Sequence, residues 1–184
     1  PYCRTPGSST EDEDIKRIKK LIENGNGEAM SIFATNYAEG RGIPQDFQKA
    51  SELWLQAGEQ GCAVAYFNLG LSYDRGRGVD IDKEKAKYYY ELSAMGGDLD
   101  ARRNLGRDEY KAGNHHRAFK HMMIAAKAGD KECLNVVKTA FMKFGSVTKD
   151  DYESTLRCYH ERQKEMKSDA RDKGAILMAD MMVN

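Results

Sequence analysis

The chain has 184 residues, 40% of them hydrophobic, and its 29 lysines and arginines balance 29 aspartates and glutamates. A net charge of zero argues against general nucleic-acid binding, which needs a basic surplus. No apolar run approaches the roughly 18 residues that cross a bilayer. We therefore expect one domain and no nucleic-acid or membrane partner.

Residues 1–9 read PYCRTPGSS; their prolines, glycine and serines predict a flexible tail. Because the first residue is Pro and not Met, we expect a fragment or a processed product. The stretch Pro1-Tyr2-Cys3-Arg4 resembles the end of a RING-type zinc finger, whose last two ligands come as Cys-Pro-x-Cys. The resemblance implies a Cys before Pro1 and Cys3 as the final zinc ligand. The alternative is a free thiol, since Cys3 alone cannot supply the four ligands of a structural site.

Residues 10–26 are predicted to form an N-terminal capping helix. Thr10 and Glu13 have the spacing of a capping box, and the apolar residues that follow form a stripe on one face. The lysines and arginines between them are interpreted as a solvated face, because acids balance them. The helix is expected to end in Asn24-Gly25-Asn26-Gly27.

The next stretch repeats itself every 36 positions. A fixed period of about 20–50 residues is typical of a solenoid, in which each unit buries its apolar face on its neighbours. The repeated positions of the first two units are Ala29/Ala65, Tyr37/Tyr73, Gly40/Gly76, Gly42/Gly78, Asp46/Asp82, Lys49/Lys85, Ala50/Ala86 and Gly61/Gly97.

Each unit is predicted to be a pair of helices. Leu69 and Tyr73 share one face of the first helix. Gly70 lies in the middle of that helix, where glycine costs about 1 kcal/mol relative to alanine, so we expect a neighbouring helix to pass close by. Asp82 is a candidate N-cap for the second helix. Tyr90, and Trp54 one unit earlier, are interpreted as core residues between repeats.

The residues of this unit resemble a known family. The pattern Leu-Gly-x-x-Tyr is shared with tetratricopeptide repeats, but the longer Gly-x-Gly-Val/Ile-x-x-Asp loop followed by Lys-Ala is similar to Sel1-like repeats. The resemblance implies an all-α protein, a right-handed α-solenoid of antiparallel helix pairs with capping helices at both ends. It also implies an adaptor or scaffold without an active site of its own.

The solenoid is predicted over residues 27–145. Its units are 27–61, 62–97, 98–129 and 130–145 plus the following helix, and residues 146–184 form a C-terminal helix and tail. The helix is expected over 148–173. The apolar tail AILMADMMVN either folds back on the last helix pair or binds a partner.

Two residue types could suggest metal or redox chemistry. His115, His116 and His121 lack the i, i+4 spacing of a helical metal pair and are interpreted as surface or helix-start residues. The scattered cysteines at positions 3, 62, 133 and 158 are interpreted as reduced thiols of an intracellular, cytoplasmic protein. Secreted members of the resembled family carry a cysteine pair in each unit, a pattern from which this chain departs. No cofactor is expected in this chain, with zinc reserved for the intact protein.

The tetratricopeptide pattern also implies where a partner binds. First-helix residues outside the Leu-Gly-x-x-Tyr positions line its concave groove; here they are Ser31, Thr35, Phe67, Leu71, Arg75, Arg103, Arg107 and Lys111. Their chemistry favours an extended acidic-hydrophobic peptide, with Arg103 binding a carboxylate through two hydrogen bonds. The alternative is that Phe67 and Leu71 pack on a neighbouring helix.

No Ser/His/Asp or Cys/His set is present, so this chain is not expected to be an enzyme. The first functional hypothesis is a protein-interaction scaffold that binds a protein or peptide. The alternative is the substrate-recruiting part of a RING-type ubiquitin ligase. In that case the zinc finger lies ahead of Pro1 and binds a ubiquitin-conjugating enzyme.

Overall fold

The computed structural model describes the backbone of residues 9–183 and the side chains of residues 13–169. In that range the protein is all-helical, as predicted, and contains no β-strand. None of the helices searched there is long and apolar enough to span a membrane. The elements are α1 (Ser9–Glu23), α2 (Gly27–Glu39), α3 (Phe47–Glu59), α4 (Ala63–Arg75), α5 (Lys83–Met95), α6 (Leu99–Lys111), α7 (His115–Lys127), α8 (Lys131–Thr139), a π-helical turn (Ala140–Phe144) and α9 (Lys149–Val183).

The chain divides into two compact units, one ending at Ala101 and the other beginning at Arg102. The first unit contains α1 to α5, and the second contains most of α6 and all the elements that follow. The capping box predicted at Thr10 and the zinc-finger resemblance at Cys3 lie outside the described side chains.

The core of the first unit is built from small residues around one large ring. Trp54 is buried among them, and Tyr90 occupies the equivalent buried position one repeat later, which confirms that both aromatic residues belong to the core. Since alanines fill most of the remaining positions, adjacent helices approach closely. The core cluster comprises Met30, Ala34, Ala50, Trp54, Ala57, Ala65 and Leu69.

A clasp of three residues joins the two helices of each of the first two repeats. The backbone N–H of Asp82 donates to the carbonyl oxygen of Tyr73 at 3.0 Å. The Asp82 carboxylate caps α5 by accepting from the N–H of Lys85 at 3.0 Å, and the Lys85 ammonium lies 5.3 Å from the centre of the Tyr73 ring. Repeat one forms the same clasp with Tyr37, Asp46 and Lys49. The recurrence of these residues in the sequence therefore has a local structural cause.

Repeat three replaces the clasp with a shorter one. Glu109 takes the position of the tyrosine and is buried. Its carbonyl oxygen accepts from the N–H of Asn114 at 2.9 Å, and its carboxylate accepts from the Asn114 side chain at 2.8 Å. In this repeat, therefore, a direct side-chain hydrogen bond joins the end of the first helix to the start of the second, where the first two repeats have the longer loop.

The second unit packs α7, α8 and α9 around a buried cluster of Phe119, Met122, Ala125, Ala126, Cys133, Val137, Ala140 and Val147. Thr148 caps α9, because its hydroxyl accepts from the N–H of Asp151 at 3.1 Å. The end of α9 differs from the prediction. The helix continues to Val183, ten residues past Lys173, because no proline interrupts its backbone hydrogen bonds. Whether the tail folds back stays open, since its side chains lie outside the described residues.

The register assigned to the repeats predicts that two substitutions in α4 change the free energy of unfolding by very different amounts. Leu69→Ala removes a side chain that is 2% exposed and should lower the free energy of unfolding by about 2–5 kcal/mol. Val64→Ala, on the same helix but 52% exposed, should change it by less than about 0.5 kcal/mol. Urea unfolding followed by circular dichroism measures both. Equal effects would show that the register is wrong.

Gly70 should resist substitution because of Tyr90. A Cβ atom at Gly70 would lie 2.7 Å from Cδ1 of the Tyr90 ring. Gly70→Ala should therefore destabilise the protein by about 1–3 kcal/mol, although alanine is the better helix former. In a double-mutant cycle, Tyr90→Leu removes the ring and should make Gly70→Ala nearly neutral. Additive effects of the two substitutions would contradict the contact.

Candidate functional site

The predicted groove residues line several cavities, which are described unit by unit. Thr35, Leu71 and Arg75 line one cavity of the first unit, with a volume of about 570 Å³. We call it the Trp54 cavity, after the indole in its wall. Arg107 and Lys111 line a different groove in the second unit.

Two of the predicted residues contribute elsewhere. Ser31 is buried and lines a separate cavity beside Cys62. Phe67 is half-buried, and its ring centre lies 5.9 Å from that of Tyr90. Phe67 therefore contacts α5, as the alternative interpretation expected, and its part in a partner-binding groove stays a prediction. Leu71 is also half-buried, but it reaches the Trp54 cavity.

The groove of the second unit lies among α6, α7, α8 and the π-helical turn and has a volume of about 510 Å³. Most of the side chains that line it are apolar or aromatic. We call it the Phe144 groove; its lining residues are Gly106, Arg107, Tyr110, Lys111, Ala118, Phe119, Met122, Asn135, Val136, Thr139, Ala140 and Phe144.

Large apolar side chains of this groove remain open to solvent. Tyr110 is 51% exposed, Val136 41% and Phe144 67%. Isolated exposed apolar residues are common, but several that converge on one concavity are characteristic of a binding surface. Arg107 and Lys111 add positive charge to this lining.

The sequence did not predict Val136 or Phe144 as site residues. The predicted set was carried over from the first helices of complete repeats, whereas Phe144 lies in the π-helical turn. That turn ends at Gly145, whose positive φ of 60° lets the chain leave the helix. The available signal was the group of large apolar residues Phe141, Met142 and Phe144 at the end of the fourth unit.

Arg103, predicted to bind a ligand carboxylate, contacts two carboxylates of its own chain. Its guanidinium Nη1 lies 2.9 Å from the Glu132 carboxylate and 3.4 Å from that of Asp130. Asp130 in turn caps α8 by accepting from the N–H of Cys133 at 2.9 Å. Arg103 therefore already binds carboxylates of its own chain and helps to fix the start of α8.

The described cysteines, Cys62, Cys133 and Cys158, are free thiols. Burial and, secondarily, the nearby Asp130 carboxylate raise the pKa of Cys133 to about 12, so its thiol stays neutral and unreactive at physiological pH. The predicted intracellular location stays a prediction. Within the side chains that the structure describes, no three His, Cys, Asp or Glu residues are grouped so that they could hold a metal ion.

Comparison with protein families gives three adjacent matches to the Sel1 repeat, at residues 28–62, 63–98 and 100–130. Together they cover more than half of the chain. The chain belongs to the Sel1 repeat family. This confirms the predicted resemblance, and the family is one of non-catalytic, protein-binding scaffolds.

Two similar proteins are ERAD-associated E3 ubiquitin-protein ligase components of Arabidopsis thaliana. HRD3A is 39% identical over 91 residues, which is 47% of this chain and 13% of HRD3A. HRD3B is 38% identical over 89 residues, 46% of this chain and 15% of HRD3B. This chain therefore matches a small part of each relative's length.

Solved structures of Sel1 repeat proteins share the fold. A Sel1 repeat protein from Oxalobacter formigenes aligns with a TM-score of 0.68 and 28% identity, over 83% of this chain and 64% of that protein. The Escherichia coli antigen c5321, described as having an SLR fold, aligns with a TM-score of 0.66 and 24% identity, over 82% of this chain and 33% of its own. They confirm the predicted fold class, an all-α solenoid of helix pairs.

Proposed function

We propose that this Sel1 repeat chain is a protein-interaction scaffold whose Phe144 groove binds an apolar, acidic segment of a partner protein. The observation that carries the proposal is the convergence of exposed apolar side chains with two cations in one concavity.

Burial of apolar surface supplies the affinity in this proposal. Covering one Leu- or Phe-sized side chain contributes about 1.5–3 kcal/mol, and Tyr110, Val136 and Phe144 all have surface left to cover. A groove of about 510 Å³ falls in the usual size range of ligand sites. It suits a short segment that presents two or three bulky side chains.

The charges in the lining supply the selectivity. Lys111 has no ion-pair partner among the described residues, and the contact of Arg107 is with its sequence neighbour Asp108, at 3.6 Å. Both cations are therefore available to a ligand carboxylate, and they disfavour a basic segment. An acidic-hydrophobic ligand was also expected from the sequence, but on a different apolar surface.

A synthetic peptide with alternating Leu and Glu residues, labelled with fluorescein, tests this proposal by fluorescence anisotropy. Val136→Asp places a charge in the apolar lining and should weaken binding at least about tenfold. Lys111→Glu should weaken it and should restore binding to a peptide in which Lys replaces Glu. The matched controls Ile124→Asp and Lys120→Glu change exposed residues of α7 outside the groove and should have little effect.

Two results would contradict the groove. One is equal binding of the Glu and Lys peptides by the unaltered protein. The other is equal loss of binding in the control variants, which would indicate non-specific association.

A second candidate function is that of a ubiquitin-ligase component. It is favoured by the similarity to HRD3A, an ERAD-associated E3 ubiquitin-protein ligase component, and by the Pro-Tyr-Cys-Arg stretch. In this proposal the intact protein carries a RING finger that ends at Cys3 and binds a ubiquitin-conjugating enzyme, while the repeats recruit the substrate.

The coding sequence ahead of Pro1 tests the second candidate. We expect a cysteine codon immediately before Pro1 and further pairs with Cys-x-x-Cys spacing. The protein expressed from it should hold zinc that Cys3→Ser releases, measured by metal analysis, while Cys158→Ser should retain the metal. An unrelated upstream sequence would rule out the RING finger and leave the scaffold proposal intact.

A further inference from the structure

We propose that the Trp54 cavity of the first unit is a second binding site, which takes the carboxylate group of a peptide. Its ligands would be the guanidinium groups of Arg75 and Arg77, the side-chain amide of Asn68 and the indole N–H of Trp54, all four in the cavity lining. This inference concerns residues of the first unit and does not depend on the Phe144 groove.

Two arginines in the cavity lining are not neutralised by any described carboxylate. Arg75 and Arg77 are exposed, and neither has an ion-pair partner in the part of the chain that the structure describes. Glu39 also lines the cavity, but its carboxylate pairs with Arg41. The cavity therefore presents a surplus of positive charge to an anion.

Several polar groups of the lining are already satisfied. The Thr35 hydroxyl donates to the Ser31 carbonyl oxygen at 3.0 Å, and the Ser72 hydroxyl donates to that of Asn68 at 3.2 Å. The Gln45 amide donates to the Ala38 carbonyl at 2.8 Å. By contrast, no described residue bonds to the side-chain amide of Asn68, which is half-buried.

Trp54 is the strongest indication of a ligand. The residue is 6% exposed, and its Nε1 is buried without an acceptor among the described residues. A buried donor without a partner is costly and is rare in native proteins. Nε1 itself has almost no accessible surface, so a ligand oxygen in the cavity would reach it after a small shift of the surrounding side chains. It would then supply the acceptor that the described residues lack.

A carboxylate fits this set better than a phosphate. Each of the free groups offers N–H donors, and a carboxylate is an acceptor that bonds well to guanidinium and amide groups. Glu39 in the same lining opposes a dianion more strongly than a monoanion, and Leu71 and Phe47 provide apolar contact for the attached chain. The group can come from a peptide C-terminus or from a Glu or Asp side chain.

Trp54 is the single tryptophan of the chain, so its indole N–H gives one resonance in a proton–nitrogen correlation spectrum. Three peptide probes separate the sources of the carboxylate: Ac-Leu-Ala-Ala-OH, Ac-Leu-Ala-Glu-NH2 and the amide control Ac-Leu-Ala-Gln-NH2. We expect a saturable shift of the indole resonance with one or both carboxylate peptides and none with the control. The peptide that binds identifies the source.

Arg75→Gln and Asn68→Ala should each raise the dissociation constant about tenfold, the usual effect of losing a hydrogen bond to a charged group. Arg17→Gln is the matched control, because Arg17 is an exposed cation of the same unit outside the cavity. Indole shifts of equal size for all three peptides would overturn the proposal, as would their complete absence. An equal loss of affinity in Arg17→Gln would also overturn it.

Discussion

Close approach between helices is the constraint on which the rest of this structure depends. A Cβ atom at Gly70 would meet the Tyr90 ring, and one at Gly106 would lie 2.7 Å from the Met122 terminal methyl. In both units, therefore, a helix presents a glycine to a large side chain of the next helix. At Gly70 the partner is a rigid ring that fills the space a side chain would need, so the glycine and Tyr90 are required together. At Gly106 the partner is the end of a flexible side chain, which can shift.

This packing explains how the protein obtains a core from a mostly polar sequence. The fully buried positions are occupied largely by alanine, each of which contributes little apolar area. Shared burial between successive helices compensates, since a repeat is stabilised by its neighbours. Few large apolar residues are buried in this arrangement, and several others, such as Phe144 and Val136, lie at the surface.

Features that depend on contacts within one repeat were predictable from the sequence. The glycine loops, the caps at Asp46 and Asp82 and the buried ring at position 90 follow from period and local chemistry. The predicted site, by contrast, depends on which side chains meet across different helices, and local chemistry does not determine that. Arg103 binds two carboxylates of its own chain. No local rule anticipates that arrangement, since Arg103 and Glu132 lie in different repeats.

The fourth unit, residues 130–145, has Val137 and Lys138 where the Leu-Gly pair is expected, and it shows the same limit of prediction from sequence patterns. Once the Leu-Gly pair is lost, periodicity no longer specifies the local backbone, and the π-helical turn that carries Phe144 appears. Such turns are uncommon and often occur at functional sites, so a departure from the repeat pattern can create a binding surface that the pattern lacks. Regular repeats maintain the core, whereas their irregularities provide the features by which one scaffold of this family can differ from another. Binding sites in such a chain are therefore best sought where the sequence departs from the repeat pattern. They are also best sought where a buried polar group, such as the Trp54 indole, has no hydrogen-bond partner among the described residues.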